Sequence, residues 1–256
     1  MKSLIKKLAN TNFFIFLRNT IKFKSVYLQS TKLDTPTTIS DAFLWRTDNG
    51  YKTIFKYTDI LEIFYNLKNS WVEIHIFTKE NKLLKKIKYN DLKMSNEFKI
   101  TPEYLNGLED YGVFYIYHLT NKNIGRDNII SNRCYLGYSR DENMYSFVHG
   151  NTLAKYSSVY SNKKIYSNIV KTSLFKNQEY TIQKYFKDFD NNELFFSNPT
   201  DKSIRFSLIG KNYKLKSGHS ISINTNKPLI TIKSNCLFLR PTVFSYKKNF
   251  FDVHHS

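Results

Sequence analysis

The sequence predicts a mainly β protein of the antiparallel β-sandwich type, built as two β-lobes behind a short basic N-terminal helical arm. Three observations carry that expectation. Tyr and Phe number 19 and 21 among 256 residues, against 8 Gly and 5 Pro, and flat side chains pack well on a pleated, half-buried surface. Short strand-like runs separated by turn residues succeed one another, most regularly after residue 193. No fixed-period repeat occurs, which disfavours propellers and solenoids. With 41% apolar residues the chain is long and apolar enough for a sizeable core and is not a disordered protein.

Taken in order, residues 1–40 form the arm and a connector. Residues 1–33 hold seven basic residues and no acid, and MKSLIKKLAN places Leu4, Ile5 and Leu8 on one side of a short helix. A basic amphipathic segment of this kind can lie on an anionic surface. TKLDTPTTISD, 31–41, reads as the connector.

The first lobe is expected over 41–151. FLWRT and YKTIFKY flank Asp48-Asn49-Gly50, a hairpin signal, because Asn-Gly accepts the positive φ of a tight turn. DILEIFYNL offers Asp59 and Glu62 as a capping box before Ile60, Ile63, Phe64 and Leu67 at helical spacing. WVEIHIF alternates, with Val72, Ile74 and Ile76 on one face and Glu73 and His75 on the other. Lys79 to Lys82 turns it into LLKKIKY. Thr101-Pro102-Glu103 opens a helical turn that Gly107 can end. VFYIYHL, RCYLGY and YSFVHGN read as three further strands.

Residues 152–192 are more polar and form the expected seam. The second lobe, 193–256, runs through ELFFS, SIRFSLIG, YKLKSG, HSISIN, LITIKS, CLFLRP and TVFSY, with a turn at Asn198-Pro199-Thr200-Asp201. Such spacing marks an antiparallel sandwich or barrel.

The formal charge is +18, from 39 basic and 21 acidic residues. Polyanions are the usual partners of such a surface. Only seven of the basic residues are Arg, however, and Lys is a hydrated point charge rather than a bidentate phosphate ligand. Lys, Asn, Ile, Tyr and Phe are abundant together, as an AT-rich coding sequence produces, and no specific nucleic-acid motif occurs. Cys134 and Cys236 stand alone, with no CxxC, so no disulfide framework or zinc motif is expected. No apolar run is long enough for a transmembrane helix. The expected location is cytoplasmic, with the arm able to bring the protein to a membrane periphery.

The usual catalytic signatures are missing: no GxGxxG, no P-loop, no GxSxG elbow and no HExxH. Neither a cofactor nor a metal is expected. The candidate site instead lies in the closing FFDVHHS. Alternation puts Asp252 and His254 on one face, the geometry by which a carboxylate orients an imidazole, and His149 at the end of YSFVH is the third candidate. Arg240, before Pro241, can pair with Asp252 or hold an anionic ligand. Trp45, Trp71 and the Tyr residues of YSSVYSNKKIYSN offer rings for stacking. The leading reading is a soluble, non-catalytic β-sandwich module that binds a polar ligand, carbohydrate first. The alternatives are an enzyme built on Asp252, His254 and His149, and an assembly protein using its sheet edges and basic arm.

Overall fold

A computed structural model of the chain describes residues 35–125, 129–131, 134–140, 145–150, 153–170, 178–182, 188–236 and 239–255, with residues 11, 13, 14, 16 and 17. The arm expected over 1–40 falls largely outside these residues. The described chain is mostly β: twenty strands in five four-stranded sheets, with few helical turns.

The first half supplies β1 (Thr37–Asp41), β2 (Phe43–Arg46), β3 (Tyr51–Tyr57), the helix α1 (Ile60–Tyr65), β4 (Trp71–Thr78), β5 (Leu83–Tyr89), β6 (Asn96–Ile100) and β7 (Tyr111–Leu119). β8 (Ile129–Ser131), β9 (Cys134–Arg140), β10 (Ser146–His149), β11 (Leu153–Ser158), β12 (Ser167–Asn168) and β13 (Gln178–Ile182) follow. The last stretch gives β14 (Asn191–Ser197), β15 (Ile204–Leu208), β16 (Lys211–Leu215), β17 (Ser220–Thr225), β18 (Ile230–Ser234), β19 (Thr242–Lys247) and β20 (Phe250–His255).

The sheets run β12-β11-β1-β8, β10-β9-β3-β6, β2-β7-β4-β5, β13-β18-β15-β16 and β17-β14-β19-β20. Ladder pairs are antiparallel except β1 with β8. The polar stretch 152–192 is divided among three sheets: β11 and β12 extend from β1, β13 pairs with β18, and Asn191 and Asn192 open β14.

Local signals formed as expected at three turns. Asp59 caps α1, its Oδ1 accepting from the Leu61 and Glu62 backbone amides at 3.1 Å, and Asn66 ends the helix at φ 52°. Thr101 Oγ1 accepts from the Tyr104 amide at the start of the 3-10 turn Glu103–Leu105. Lys79 to Lys82 joins β4 to β5 as a hairpin. Within α1, however, Ile60 and Leu61 are the buried pair, while Ile63 and Phe64 are exposed.

One hairpin expectation is overturned. Asn49 and Gly50 do take positive φ, at 52° and 75°, but β2 and β3 do not pair. β2 joins β7, and β3 lies between β9 and β6. The turn carries the chain from one sheet to another, held by Thr53 Oγ1, which accepts from the Arg46 amide and donates to the Arg46 carbonyl.

Alternation along β14 and β19 explains how the halves are joined. Phe195, Phe244 and Val253 enter the core formed by residues 43–148. Their neighbours Leu194, Phe196 and Val243 enter a second core with Ile204, Phe206, Leu208, Ile230 and Ile232. Strands β14 and β19 therefore bury both faces, which is why Leu194-Phe195-Phe196 runs apolar without interruption.

Candidate functional site

The C-terminal strand β20 pairs with β19 and contacts β10 along its other side. Ser146 bridges the contact: its Oγ donates to Asp252 Oδ1 at 2.8 Å and accepts from the Val253 amide at 3.0 Å. His254 Nε2 stands 3.6 Å from Asp252 Oδ2, an ion-pair distance too long for a hydrogen bond. The Phe189 ring lies 6.0 Å from the His254 ring.

The His149 ring packs against Tyr135 at a tilt of 44°, ring centroids 4.5 Å apart. Its electrostatic influence on β20 falls on His255, whose ring alternation turns away from Asp252 and His254. Burial pushes the His255 pKa down, and the charges of Arg240, His149 and His254 push it further. His255 Nδ1 is buried without a hydrogen-bond partner. Arg240 is half-buried and lines a cleft of about 10 Å³ with Ala42, Leu44, Phe195, Ser197, Pro199 and Thr242, room for about one water molecule. Of the candidates, the geometry brings Asp252 and His254 together, while His149, Arg240 and His254 all bear on His255 through their charges.

Below this cluster the strand is an anchor. Val253 is buried, and Phe251 meets Tyr51 edge-on at 5.1 Å and stacks near Phe244 at 6.1 Å. Phe251→Ala is expected to cost roughly 1.5 kcal/mol, for a ring only partly buried, and to lower Tm by about 3–6 °C. An unchanged thermal unfolding curve would show that β20 does not anchor there.

The tryptophans are not a stacking platform. Trp45 is fully buried, donating from Nε1 to the Phe77 carbonyl at 2.8 Å, and Trp71 is buried in another cluster. In YSSVYSNKKIYSN, Tyr160 Oη donates to Asn123 and Ile124, and Tyr166 Oη donates to Glu73.

The exposed rings lie elsewhere, on the outer face of β10-β9-β3-β6. Tyr135 is 51% and Phe147 43% exposed, and His149 beside them is also exposed. In register, Tyr135 faces His149 on β10 and Lys56 on β3, while Gly137 faces Phe147 and Ile54. The Phe147 ring lies across Gly137, where a Cβ would come within 2.5 Å of it. Lys56 Nζ stands 5.4 Å over the Phe147 ring and 3.7 Å from Glu97. The result is a ring surface with hydrogen-bonding groups on one side. In the sequence, alternation within RCYLGYSR already put Tyr135 and Gly137 on one face. Nothing local said that this face would stay uncovered.

Two charge clusters escaped sequence reasoning. Arg46 is fully buried; its guanidinium donates to Asp48 at 2.9 and 2.8 Å, to Glu193 at 2.9 Å and to Tyr246 Oη at 3.2 Å. It lies 3.8 Å over the Tyr51 ring. The second centre is Glu73, buried on β4, which accepts from Lys164 at 2.6 Å and Tyr166 at 2.8 Å and approaches His75 at 3.3 Å and Lys86 at 3.2 Å. These groups saturate one another, so both centres fasten distant segments. Asp41 differs: burial raises its carboxyl to about 6, and it stands where a Gly150 side chain would be.

Among the described residues no three His, Cys, Asp or Glu side chains gather as a metal site, and no helix is long and apolar enough to cross a membrane. Cys134 and Cys236 are buried and not joined in a disulfide. No protein-family model matches the sequence, and no curated protein matches it.

Proposed function

We propose that the chain is a non-catalytic β-sandwich module that binds a polar ligand, carbohydrate first, on the outer face of β10-β9-β3-β6. The sandwich is the pair of sheets around the second core, β13-β18-β15-β16 against β17-β14-β19-β20. The observation that supports the ligand is the ring surface of Tyr135, Phe147 and His149. The C–H face of a sugar ring packs on an aromatic face, and its hydroxyls then need polar neighbours at the rim. Lys56, Glu97 and Lys99 provide them, all exposed on the adjoining strands. His149 belongs to this reading as a platform ring rather than as a base.

A glycan array followed by calorimetric titration of the best oligosaccharide tests it. Tyr135→Ala and Phe147→Ala are each expected to weaken binding about fivefold or more, with far-UV circular dichroism unchanged because both rings are half exposed. Absence of any glycan binding, or full affinity in both variants, overturns the assignment.

The 3.6 Å approach of His254 to Asp252 supports a second reading, an enzyme using Asp252, His254 and His149. Its discriminating result is loss of a measured turnover in His254→Ala while Tyr135→Ala retains it.

A further inference from the structure

The hairpin β15–β16 closes through Ile209 and Gly210, with Leu208 opposite Lys211. Both turn residues have positive φ, 50° at Ile209 and 72° at Gly210. This two-residue turn needs that geometry at both positions, and Asn-Gly is its ordinary sequence. A β-branched residue there is strained, because its Cβ crowds the backbone in the left-handed region. The strain holds an isoleucine at the tip, 41% exposed. Across a groove of about 350 Å³ stands Leu229, 49% exposed, in the β17–β18 connection. Ser207, Thr231, Lys227 and Lys233 complete the walls, and no acid lines the groove. Lys233 is paired with Glu179 on β13 at 2.8 Å, whereas Lys227 and the neighbouring Lys211 are exposed at the tips.

We infer that these two tips dock the protein on an anionic lipid bilayer. Two aliphatic side chains projecting from adjacent turns can enter the headgroup–acyl boundary, and lysines beside them meet lipid phosphates and carboxylates at the level of the headgroups. An apolar pair ringed by lysines fits that layered chemistry. A free polyanion would match the lysines but leave Ile209 and Leu229 without a role. This surface lies on a different sheet from the ring platform, so the two can be occupied independently.

The test is co-sedimentation of the full chain with phosphatidylcholine vesicles, with and without phosphatidylserine. Ile209→Asn is the informative variant, since asparagine tolerates positive φ. It is expected to keep or raise Tm while weakening binding to the phosphatidylserine vesicles by about tenfold or more, the equivalent of withdrawing one aliphatic side chain from an apolar phase. Leu229→Ser is expected to weaken binding similarly. Lys227→Gln with Lys211→Gln should remove the preference for phosphatidylserine, and added salt should weaken binding of the unaltered chain. Should Leu229→Ser fail to fold, Ile209→Asn decides alone. The inference is overturned if the unaltered chain does not bind these vesicles. It is equally overturned if Ile209→Asn binds as well as the original, as it would if the basic residues 1–33 alone caused attachment.

Discussion

Replacing Arg46 by alanine is expected to destabilise the protein by about 3–5 kcal/mol, the usual cost of leaving a buried charge without its partner. The side chain has no exposed surface and holds Asp48 through two hydrogen bonds and Glu193 through a third. Removing it strands both carboxylates. Glu193 keeps the hydroxyls of Ser222 at 2.7 Å and Tyr246 at 2.8 Å, which soften the loss but do not neutralise the charge. Arg46 also packs against the Tyr51, Phe195 and Phe244 rings, with its guanidinium carbon 3.8, 4.8 and 4.7 Å from their centroids. Alanine leaves a gap among all three. Arg46→Lys is expected to recover little, because an ammonium cannot span Asp48 and Glu193 with a planar fork. Thermal unfolding followed by tyrosine and tryptophan fluorescence measures the effect, with a fall in Tm of roughly 6–20 °C. A double-mutant cycle with Glu193→Gln isolates the long-range pair, and a coupling of at least about 0.5 kcal/mol is expected. A loss below about 1 kcal/mol in Arg46→Ala would mean that this network does not join β2 to β14 and β19.

That network shows where sequence reasoning stops. Asp48-Asn49-Gly50 announced a turn, and the turn is there. A turn signal fixes the local dihedral angles but not the partners of the strands on either side. β2 and β3 enter different sheets, and Arg46 at the crossing bonds both Asp48 and Glu193, 147 residues away. From the sequence alone, Arg46 was a charged residue flanking a turn. The late strands were legible because each is short, alternating and bounded by turn residues. The double burial of β14 was legible only in part, since an apolar run does not say which two surfaces will cover it. For the candidate site, period-two alternation correctly separated Asp252 and His254 from Val253. It could not place β10 beside β20, where Ser146 bonds Asp252 and the Val253 amide. Trp45 and Trp71 were read as potential stacking rings because residue type signals capability. Their burial is a property of packing.

Acidification is expected to destabilise the protein through Glu73, by on the order of 3 kcal/mol in all, as pH falls from about 4.5 to about 2. Alternation placed Glu73 and His75 on one face of β4, a face that looked like the solvent side. In the fold, Lys164 and Tyr166 from the segment between β11 and β12 cover it. Burial by itself would raise the carboxyl, but the hydrogen bonds from Lys164, Tyr166 and Lys86 outweigh it and lower the pKa from 4.5 to about 2. The folded state therefore holds the ionised form more firmly than the unfolded chain does. The stabilisation is complete above the unfolded value and disappears as pH falls through the folded one. His75 adds a slope of the same sign at higher pH: burial lowers its pKa below 6.5, so the unfolded chain takes up the proton first. Urea unfolding at a series of pH values separates the two. Glu73→Gln is expected to be less stable at neutral pH, because Lys164 and Lys86 lose their counter-charge, and to show a much flatter dependence between pH 4.5 and 2. The slope that His75 imposes just below its unfolded value should persist in that variant. If Glu73→Gln and the original chain lose stability in parallel across the acid range, the Lys164–Glu73 pair does not hold the 160s segment against β4, and another carboxylate governs acid unfolding.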